Sequence, residues 1–483
     1  MRPNVLLITL DQFRADCLSA AEHAVVRTPH LDALARDGVR FARHYSQAAP
    51  CGPGRASLYT GMYAMNHRVV GNGSPLDRRF DNIAMLARRA GYEPALFGYT
   101  DQAIDPRDAT GSDDPRLFTY NGILSGFDPI LHVPDDQGPW VEWLDSLGYD
   151  VSVGSHELLA SEHARPVEHS VGAFVTDTFL DWHASQHDGW CAHISHLRPH
   201  PPYSAAGEWS NAYDPNTIDA PIGAEPQHWF HRGVLERTQA AAPTDPHDLA
   251  VLRAQYFGMV SHIDEQVGRV FTALKERGDW DNTVIIVTAD HGEMLGDHGL
   301  IEKLGYWEQS YAIPCIIRDP SRMSGHGTAP EFFTENVDIM PTVAELISVD
   351  IPAQCDGRSL VAFLNGDSPN EWRAAAHWEY DWRTTLIGSV PHEWPNDRML
   401  ERQHLAVTRT DTHAYVQFGN GDALCFDLVA DPTWRTITTD PAVILPLAQE
   451  MLTWRSRHTD RLLADLVIRD GGVGRWPPVD WQR

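Results

Sequence analysis

Cysteine is scarce in this sequence, and its spacing follows no pattern associated with disulfide or zinc-binding frameworks. The chain has 483 residues and six cysteines, with no CxxC motif and no dense cluster. They lie at Cys17, Cys51, Cys191, Cys315, Cys355 and Cys425. Scattered cysteines exclude a small disulfide-stapled domain and are typical of a reducing compartment. We therefore expect a cytoplasmic protein.

Long apolar runs are also missing. The N-terminal run NVLLITL ends at Asp11 and is too short for the hydrophobic region of a signal peptide. No run in the chain reaches the roughly 20 residues that a membrane-spanning helix needs. With 42% hydrophobic residues, the composition is instead that of a globular protein, and we expect no membrane partner.

Positive charge is in short supply as well. Lys and Arg number 38 against 66 Asp and Glu, which gives a formal net charge of −28. This balance argues against non-specific binding to nucleic acid, because such binding needs a basic stripe that displaces counterions. If the substrate is an anion, its site must be a local patch of side-chain cations and metal charge within an acidic protein.

Alternating strand and helix patterns dominate the chain up to about residue 366. Short apolar runs indicate buried strands, and periodic runs closed by glycine indicate helices. The predicted strands are 4–10, 39–45, 93–99, 190–197, 282–290 and 312–319. The predicted helices are 30–38, a segment from Gly54 onward, 83–90, 247–278 and 337–347. This alternation predicts an α/β fold with a mostly parallel central sheet flanked by helices.

The pattern changes beyond residue 366. The runs HLAVTRT, AYVQFG and ALCFDL predict short strands, and AVILPLAQEMLTWRSRH predicts a helix. We therefore predict an α/β domain at 1–366, which carries the site, and a C-terminal subdomain at 367–483 with a small antiparallel sheet, a helix and a tail. Residues 101–180 and 204–245 are rich in Pro, Asp, Gly and His and are predicted to be long loops that shape a site.

Polar side chains follow several of the predicted strands. Asp11 and Gln12 follow the first strand, and Asp290 and His291 follow the strand at 282–290. Ligands of open α/β sheets bind at the carboxyl ends of strands, where residues distant in sequence meet. Carboxylate and amide oxygens with one imidazole suit a divalent cation such as Mn²⁺ better than Ca²⁺ alone. Taken singly, each residue also fits a helix cap or a turn.

The stretch CGPGR begins a predicted helix and places Cys51 four residues before Arg55. An isolated cysteine is most often a small buried apolar residue. A thiolate nucleophile is the alternative, since a helix N-terminus and an arginine both favour the charged form. A thiolate is nevertheless a soft ligand, whereas the oxygen-rich residues that follow the strands suit a hard divalent cation, so the two fit poorly in one site.

Several motifs in order along the chain resemble the sulfatases of the alkaline phosphatase superfamily. Residues 51–55 match the family signature C-x-P-x-R, in which the cysteine is oxidised after translation to formylglycine. Gly54 is smaller than the Ser or Ala usual in that signature. Further matching blocks are the first aspartate after strand one, TPHLDALARDGVRF, TADHGE, VDIMPT and CDGRSL.

Details of these motifs resemble one branch of the family, the phosphonate monoester hydrolases, which also act as phosphodiesterases. Typical sulfatases carry a second Asp and an Asn where this chain has Gln12 and His291. Other stretches that resemble this branch are MNHR, PLD, GYT, RPHPP, GDH and KLGY. The resemblance implies hydrolysis of phosphonate monoesters and phosphodiesters, together with promiscuous activity on sulfate esters.

The resemblance also implies the cofactors and partners. One divalent metal ion, Mn²⁺ or Ca²⁺ with Zn²⁺ as an alternative, is bound by Asp11, Gln12, Asp290, His291 and an oxygen of modified residue 51. Formylglycine hydrates to a diol; one hydroxyl attacks the ester, and loss of a proton from the other expels the product. A formylglycine-generating enzyme is then needed for maturation. The hydrolases that the chain resembles are oligomers, so a homotetramer or dimer is expected, with Trp476 and Trp481 of the tail anchoring a subunit contact.

Further roles carried over by resemblance concern the substrate pocket. Arg55 orients the nucleophile, His200 donates a proton to the leaving oxygen, and Lys303 supplies compensating charge. The residues that hold the non-bridging oxygens are Asn72, Tyr99, Thr100, His200 and Lys303. The next residue, Asp101, occupies a position at which family members vary.

Three alternatives remain open at the level of sequence. The first is an arylsulfatase or choline-sulfatase-like enzyme with the same nucleophile. The second is a metal-free binding or scaffold protein that keeps an inherited fold. The third is a thiol enzyme in which Cys51 is unmodified, and mass spectrometry of the peptide that holds residue 51 separates it from the formylglycine mechanism.

Overall fold

The computed structural model describes residues 2–236, 240–383, 402–459, 466–470 and 472–475. Trp476 and Trp481, for which the sequence predicts a subunit contact, lie outside these residues. The strands, in chain order from β1, are Asn4–Leu10, Val39–Arg40, Arg43–Tyr45, Ala48–Ala49, Pro94–Gly98, Asp128–His132, Cys191–His196, Thr283–Thr288, Cys315–Arg318, Phe333–Glu335, Ala375–Asp381, His404–Thr410, His413–Phe418, Ala423–Asp427, Leu466–Arg469 and Gly472–Arg475.

The α-helices are numbered in the same way from α1. They are Pro29–Arg36, Cys51–Thr60, Ala64–His67, Ile83–Arg89, Gly138–Ser146, Ser155–Ala160, Val171–His183, Trp229–Leu235, Pro246–Arg277, Ile339–Leu346, Val361–Leu364 and Pro441–Arg457. Among the described residues, none of these helices combines the length and the apolar character that crossing a membrane requires.

The N-terminal apolar run forms the central strand of a seven-stranded sheet with the order β2-β9-β8-β1-β7-β5-β6. Strands β8, β1, β7, β5 and β6 are parallel to one another, and β9 pairs antiparallel with both of its neighbours, β8 and β2. Leu6, Ile8 and Leu10 pack on one face of the sheet, whereas Leu7 packs on the other. Because both faces are covered, the strand is apolar throughout. The predicted α/β class is confirmed.

Helices cover the two faces of this sheet in separate groups. The face that receives Leu6 packs against α1, α5, α7 and α9. The opposite face packs against α2, α4, α10 and α11. The helix that begins at Cys51 is therefore part of a core layer, and every one of its ten residues is buried.

The segments 101–180 and 204–245 are more ordered than predicted. The first contains β6, α5, α6 and most of α7, and the second contains α8. The Asp and Ser residues in them cap helices: Asp105 and Asp114 cap short 3-10 helices, and Ser170 caps α7. The prediction of a long loop was wrong for 101–180, because capping residues and turn residues are the same types, whereas the described part of 204–245 outside α8 consists of loops and short 3-10 helices.

A second sheet has the order β14-β13-β12-β11-β4. Strands β11 to β14 are antiparallel; β12, β13 and β14 are the three predicted strands, whereas β11 was not predicted, and α12 packs against β12 and β13. The fifth strand, β4, comes from Ala48–Ala49 and pairs in parallel with β11. The segment just before Cys51 is thus held by the C-terminal sheet, while the division at residue 366 stays a prediction.

Candidate active site and metal centre

The carboxyl ends of β1 and β8 bring two aspartates together. These neighbouring parallel strands are in register, with Thr9 opposite Thr288, and an aspartate follows each of these threonines two residues later. Asp11 and Asp290 therefore lie side by side at the edge of the sheet, and both are fully buried. The strand order alone explains why residues 279 positions apart share one site.

Cys51 approaches this pair from the N-terminus of α2. Its Sγ lies 3.9 Å from Asp11 Oδ1 and 3.2 Å from His291 Nε2. Asp11, Cys51, Asp290 and His291 each offer one ligand atom, and these four atoms all lie within 4.8 Å of one another. The structure thus brings four of the five predicted metal ligands into a single buried cluster.

Arg55 lies one helical turn after Cys51 and clamps the two carboxylates. Its Nε donates to Asp290 Oδ2 at 3.0 Å, and its Nη2 donates to Asp11 Oδ2 at 3.0 Å. Its Nη1 donates to Ser195 Oγ at 2.7 Å. Arg55 is fully buried, so its hydrogen bonds fix the carboxylates instead of competing with water.

The charges of the cluster are strongly coupled. Burial alone would raise the pKa of Asp11, but the positive charges of Arg55 and Lys303 hold that pKa well below its usual range. Burial and the negative charge of Asp11 together raise the pKa of Asp290 to about 6. The two adjacent buried carboxylates carry two negative charges when both are ionised, and the single positive charge of Arg55 balances only one of them.

The donor set fits a divalent cation. His291 Nδ1 lies 3.0 Å from the Gly292 carbonyl, so donation from Nδ1 leaves the Nε2 lone pair facing the carboxylates. His291 Nε2 lies 3.7 Å from Asp11 Oδ1 and 3.7 Å from Asp290 Oδ2. Two carboxylates with an oriented imidazole match the ligands of Mn²⁺, Ca²⁺ or Zn²⁺.

Gln12, the fifth predicted ligand, borders this cluster. Its backbone has a φ of 65°, and its amide N–H donates to Asp290 Oδ1 at 3.2 Å. Its side-chain oxygen accepts a hydrogen bond from Lys303 Nζ at 2.6 Å, and its side-chain NH₂ donates to Glu293. The amide is therefore oriented from both ends, with its oxygen on the side of Lys303.

Lys303 and His200 form a pair above the cluster. Lys303 Nζ lies 2.8 Å from His200 Nε2, and His200 Nδ1 lies 2.8 Å from the Pro201 carbonyl. Burial lowers the pKa of Lys303, but the neighbouring Cys51, Glu302 and Asp11 raise it above its ordinary value. Burial and the Lys303 charge lower the pKa of His200. Lys303 therefore donates to a neutral His200.

The remaining predicted pocket residues divide into two groups. Tyr99 donates to Asp11 Oδ2 at 2.5 Å, and Asn72 Oδ1 accepts from the Gly52 amide at 2.8 Å. Both residues line the cavity. Thr100 does not line it, because its hydroxyl donates to the Gly122 carbonyl at 2.8 Å and accepts from the Leu124 amide at 2.9 Å. In the structure, Thr100 anchors the loop that contains Gly122 and Leu124. It does not line the cavity in which it was predicted to contact the substrate.

A cavity of about 290 Å³ opens onto Cys51. Asp11, Tyr99, His200 and Lys303 line its inner part. Its outer wall comes from the segment around 120–159, including Tyr120, Val133, Pro134, Asp135, His156 and Leu159. The cavity thus combines a charged floor with a mixed aromatic and aliphatic wall, a lining suited to an anionic ester with an organic substituent.

Sequence reasoning missed several residues that support the site. Glu293 is buried and accepts from Gln12, from Tyr203 at 2.9 Å and from two backbone amides. It lies inside the quoted TADHGE block, which is the signal that could have identified it. Ser195, which accepts from Arg55, lies in β7 with no motif around it, so only the packing of α2 on the sheet reveals it.

Comparison with protein families gives two matches. A family model described as "Sulfatase" matches residues 3–349. A second model, described as "N-sulphoglucosamine sulphohydrolase, C-terminal", matches residues 296–451. The two matches together span nearly all of both sheets.

Two relatives align with almost the whole chain. The multifunctional alkaline phosphatase superfamily protein PehA of Trinickia caryophylli is 36% identical over 504 residues, covering 96% of this chain and 97% of the relative. A choline-sulfatase of Rhizobium meliloti is 26% identical over 498 residues, covering 98% of this chain and 90% of the relative.

Two solved structures are similar over the same extent. The phosphonate monoester hydrolase of Agrobacterium radiobacter has a TM-score of 0.89 at 39% identity, covering 99% of this chain and 100% of that chain. The phosphonate monoester hydrolase SpPMH from Silicibacter pomeroyi has a TM-score of 0.88 at 34% identity, covering 98% and 99%. The chain therefore belongs to the sulfatase family of the alkaline phosphatase superfamily and is a hydrolase that acts on ester bonds.

Proposed function

We propose that this protein is a metal-dependent hydrolase of phosphonate monoesters and phosphodiesters whose nucleophile is a formylglycine made from Cys51. The observation that carries the proposal is the buried cluster in which Cys51 meets Asp11, Asp290 and His291, with Arg55 bound to both carboxylates. The likeness to two phosphonate monoester hydrolases at 39% and 34% identity supports the choice of ester.

Asp11, Gln12, Asp290 and His291 would hold the cation together with residue 51. When bound, the metal would supply, together with the formylglycine, an oxygen nucleophile for attack on phosphorus. Arg55 keeps Asp11 and Asp290 in one orientation through hydrogen bonds of 3.0 Å to each. Glu293 orients Gln12, so this side chain turns its oxygen toward Lys303 and the cavity.

Lys303 and His200 handle charge and protons on the substrate side. The Lys303 ammonium faces the same cavity as Cys51 and stabilises negative charge that develops on the non-bridging oxygens. The leaving oxygen takes its proton from the Lys303–His200 pair, in which Lys303 Nζ holds the proton and donates to the neutral His200 Nε2 at 2.8 Å. The hydrogen bond between His200 Nδ1 and Pro201 fixes the imidazole plane for this transfer.

Tyr99 and Asn72 complete the inner pocket. Tyr99 donates to Asp11 and also lies under the Arg55 guanidinium, with 4.3 Å between the guanidinium carbon and the ring centroid. Asn72 lines the cavity and accepts from the Gly52 amide through Oδ1, which leaves its side-chain NH₂ to donate to a substrate oxygen. Both residues thus position donors around the reacting group.

Sulfate-ester hydrolysis is the second candidate function. The match of the "Sulfatase" model over residues 3–349 and the 26% identity to a choline-sulfatase favour it. A sulfate monoester and a phosphodiester both carry one negative charge, so the same donors serve either one. The two functions differ in the relative rates of the two ester classes.

The test compares three p-nitrophenyl esters on one preparation: phenylphosphonate, bis(p-nitrophenyl) phosphate and sulfate. The same sample is analysed for metal content and, by mass spectrometry, for an aldehyde in place of the thiol at residue 51. We expect the highest kcat/KM for the two phosphorus esters, about one metal ion per active chain, and aldehyde at residue 51. Co-expression with a formylglycine-generating enzyme should raise the activity in step with the aldehyde content.

Cys51→Ala should abolish turnover, whereas Cys191→Ala, which removes another buried thiol at the start of β7, should retain it. A preference for the sulfate ester by several orders of magnitude would contradict the proposed substrate class. Full activity with an intact thiol at residue 51 would contradict the proposed nucleophile.

A further inference from the structure

Asp101 places a carboxylate in the substrate cavity that the mechanism above does not use. The residue is 5% exposed and lines the cavity together with Cys51, Tyr99 and Lys303. Its Oδ1 is buried and accepts no hydrogen bond from any residue that the structure describes. A buried carboxylate oxygen without a partner is costly and is uncommon away from functional sites.

The backbone around Asp101 holds this carboxylate in place. Its φ of 50° lies in the left-handed region, which non-glycine residues seldom adopt. On one side, the Thr100 hydroxyl bonds the backbone of Gly122 and Leu124. On the other side, Gln102 Nε2 donates to the Gly52 carbonyl on α2 at 3.0 Å. Residues 100–102 are thus held against α2, the helix that carries Cys51.

The nearest cation does not neutralise Asp101. Arg55 Nε lies 4.0 Å from Asp101 Oδ2, beyond hydrogen-bond distance, and it donates to Asp290 Oδ2 at 3.0 Å. The other arm of Arg55 is bound to Asp11. Burial, together with the nearby charge of Asp11, raises the pKa of Asp101 to about 7 although Arg55 opposes the shift. Asp101 therefore adds a carboxylate to the cavity that, among the described residues, receives no hydrogen bond at Oδ1 and lies 4.0 Å from Arg55 at Oδ2.

We propose that Asp101 selects substrates by charge, disfavouring doubly charged phosphate monoesters and leaving singly charged phosphodiesters and phosphonate monoesters as the preferred class. This inference rests on the proposed function of the same site. A phosphate monoester carries one more negative charge on its non-bridging oxygens than a diester does. In a buried cavity, a fixed carboxylate repels that extra charge far more than it would in water.

The test measures two p-nitrophenyl substrates with the same leaving group: p-nitrophenyl phosphate and bis(p-nitrophenyl) phosphate. The assay is run well above pH 7, where the monoester is a dianion and Asp101 is ionised. Asp101→Asn keeps the size of the side chain, and both Asn and Gly tolerate left-handed backbone, so Asp101→Gly serves as the second variant. Asp135→Asn is the matched control, because Asp135 lines the same cavity but is exposed to solvent.

We expect the ratio of monoester to diester kcat/KM to rise by roughly tenfold in both Asp101 variants, since a buried like charge is removed. The Asp135 control should stay within about twofold, because solvent screens its charge. A rise of less than about threefold in an Asp101 variant that is folded and carries formylglycine overturns the proposal. A merely structural role for Asp101 would lower both activities together and leave the ratio unchanged.

The wild-type rates keep this inference separate from the proposed function. If wild-type protein hydrolyses the diester and the ratio does not respond, the function stands and the role of Asp101 is refuted. If wild-type protein cleaves only p-nitrophenyl sulfate, the proposed function fails. The role of Asp101 is then judged by the ratio of p-nitrophenyl phosphate to p-nitrophenyl sulfate, because the sulfate ester is also a monoanion.

Discussion

Replacing Gly54 with alanine should stabilise helix α2 through its higher helix propensity and destabilise the protein through a steric clash. We expect the clash to have the larger effect on stability. Gly54 lies inside α2, where alanine is intrinsically favoured by about 1 kcal/mol. A Cβ at this position would lie 2.5 Å from the Asp290 carbonyl oxygen and 3.0 Å from the Ala48 carbonyl oxygen. Both neighbours are backbone atoms and cannot rotate away.

The size of the effect follows from these distances. Ordinary contact with a Cβ begins at 3.4 Å, so the Asp290 backbone and α2 must separate by about 0.9 Å. Overpacking of this kind costs about 1–3 kcal/mol, which exceeds the gain in propensity and leaves a net loss of about 1 kcal/mol. A displacement near 1 Å between Asp290 and the helix that carries Cys51 and Arg55 should lower kcat/KM by roughly a hundredfold.

The assay combines thermal unfolding, kcat/KM and the aldehyde content of residue 51, because Gly54 lies within the modification signature. The control is Gly223→Ala, since a Cβ at Gly223 meets no described heavy atom within 4 Å. We expect Gly54→Ala to lose stability and activity per modified chain while Gly223→Ala keeps both. If Gly54→Ala unfolds at the wild-type temperature or higher and retains its activity, the close contact between α2 and Asp290 does not constrain the site.

Three further predictions concern the metal site and stability. Arg55→Lys should lower kcat/KM by roughly a hundredfold and reduce bound metal, because an ammonium cannot bond both Asp11 and Asp290 as the guanidinium does; metal analysis and kinetics check it, and wild-type values would contradict it. Chelation should abolish activity and added Mn²⁺ should restore it, whereas full activity in metal-free protein would argue against the cation. Glu335 is buried, accepts from Tyr63 at 2.6 Å and from the His377 amide at 2.8 Å, and pairs with Arg373. Burial would raise the pKa of Glu335, but Arg373 holds it below its usual value, so its contribution is present above about pH 4.3 and is lost as the pH falls further. Glu335→Gln should therefore cost about 2 kcal/mol at neutral pH, and the difference in denaturant unfolding from wild type should shrink in acid; a difference that is constant with pH would contradict this reading.

The strongest secondary-structure signals in the sequence were read correctly. The strands at 4–10 and 282–290 appear as β1 and β8, and the long helix at 247–278 appears as Pro246–Arg277. These elements are buried in the core layers, so hydrophobic periodicity dominates their sequences. The run at 39–45 was read as one strand but divides into β2 and β3, which join different sheets. The alternation of apolar and polar residues in this run does not indicate with which strands β2 and β3 will pair.

The motifs identified the family and the residues around Cys51, but not how each residue is used. Thr100 follows β5 as predicted, yet its hydroxyl bonds a loop and does not line the cavity. Gln12 borders the cluster with its oxygen bound by Lys303. Both outcomes depend on which hydrogen-bond partners the folded chain presents, and neither partner is near in sequence.

The sequence by itself determined the fold class, the family and the identity of the residues that could carry the chemistry, because these depend on local periodicity and on motifs in a fixed order. Only the tertiary structure decided which of them meet: the register of β1 and β8 places Asp11 beside Asp290, and the packing of α2 brings Cys51 and Arg55 to them. It also decided that Asp101 faces the cavity with an unpaired oxygen. Burial and pairing are properties of contacts between distant segments, and therefore no local pattern encodes them.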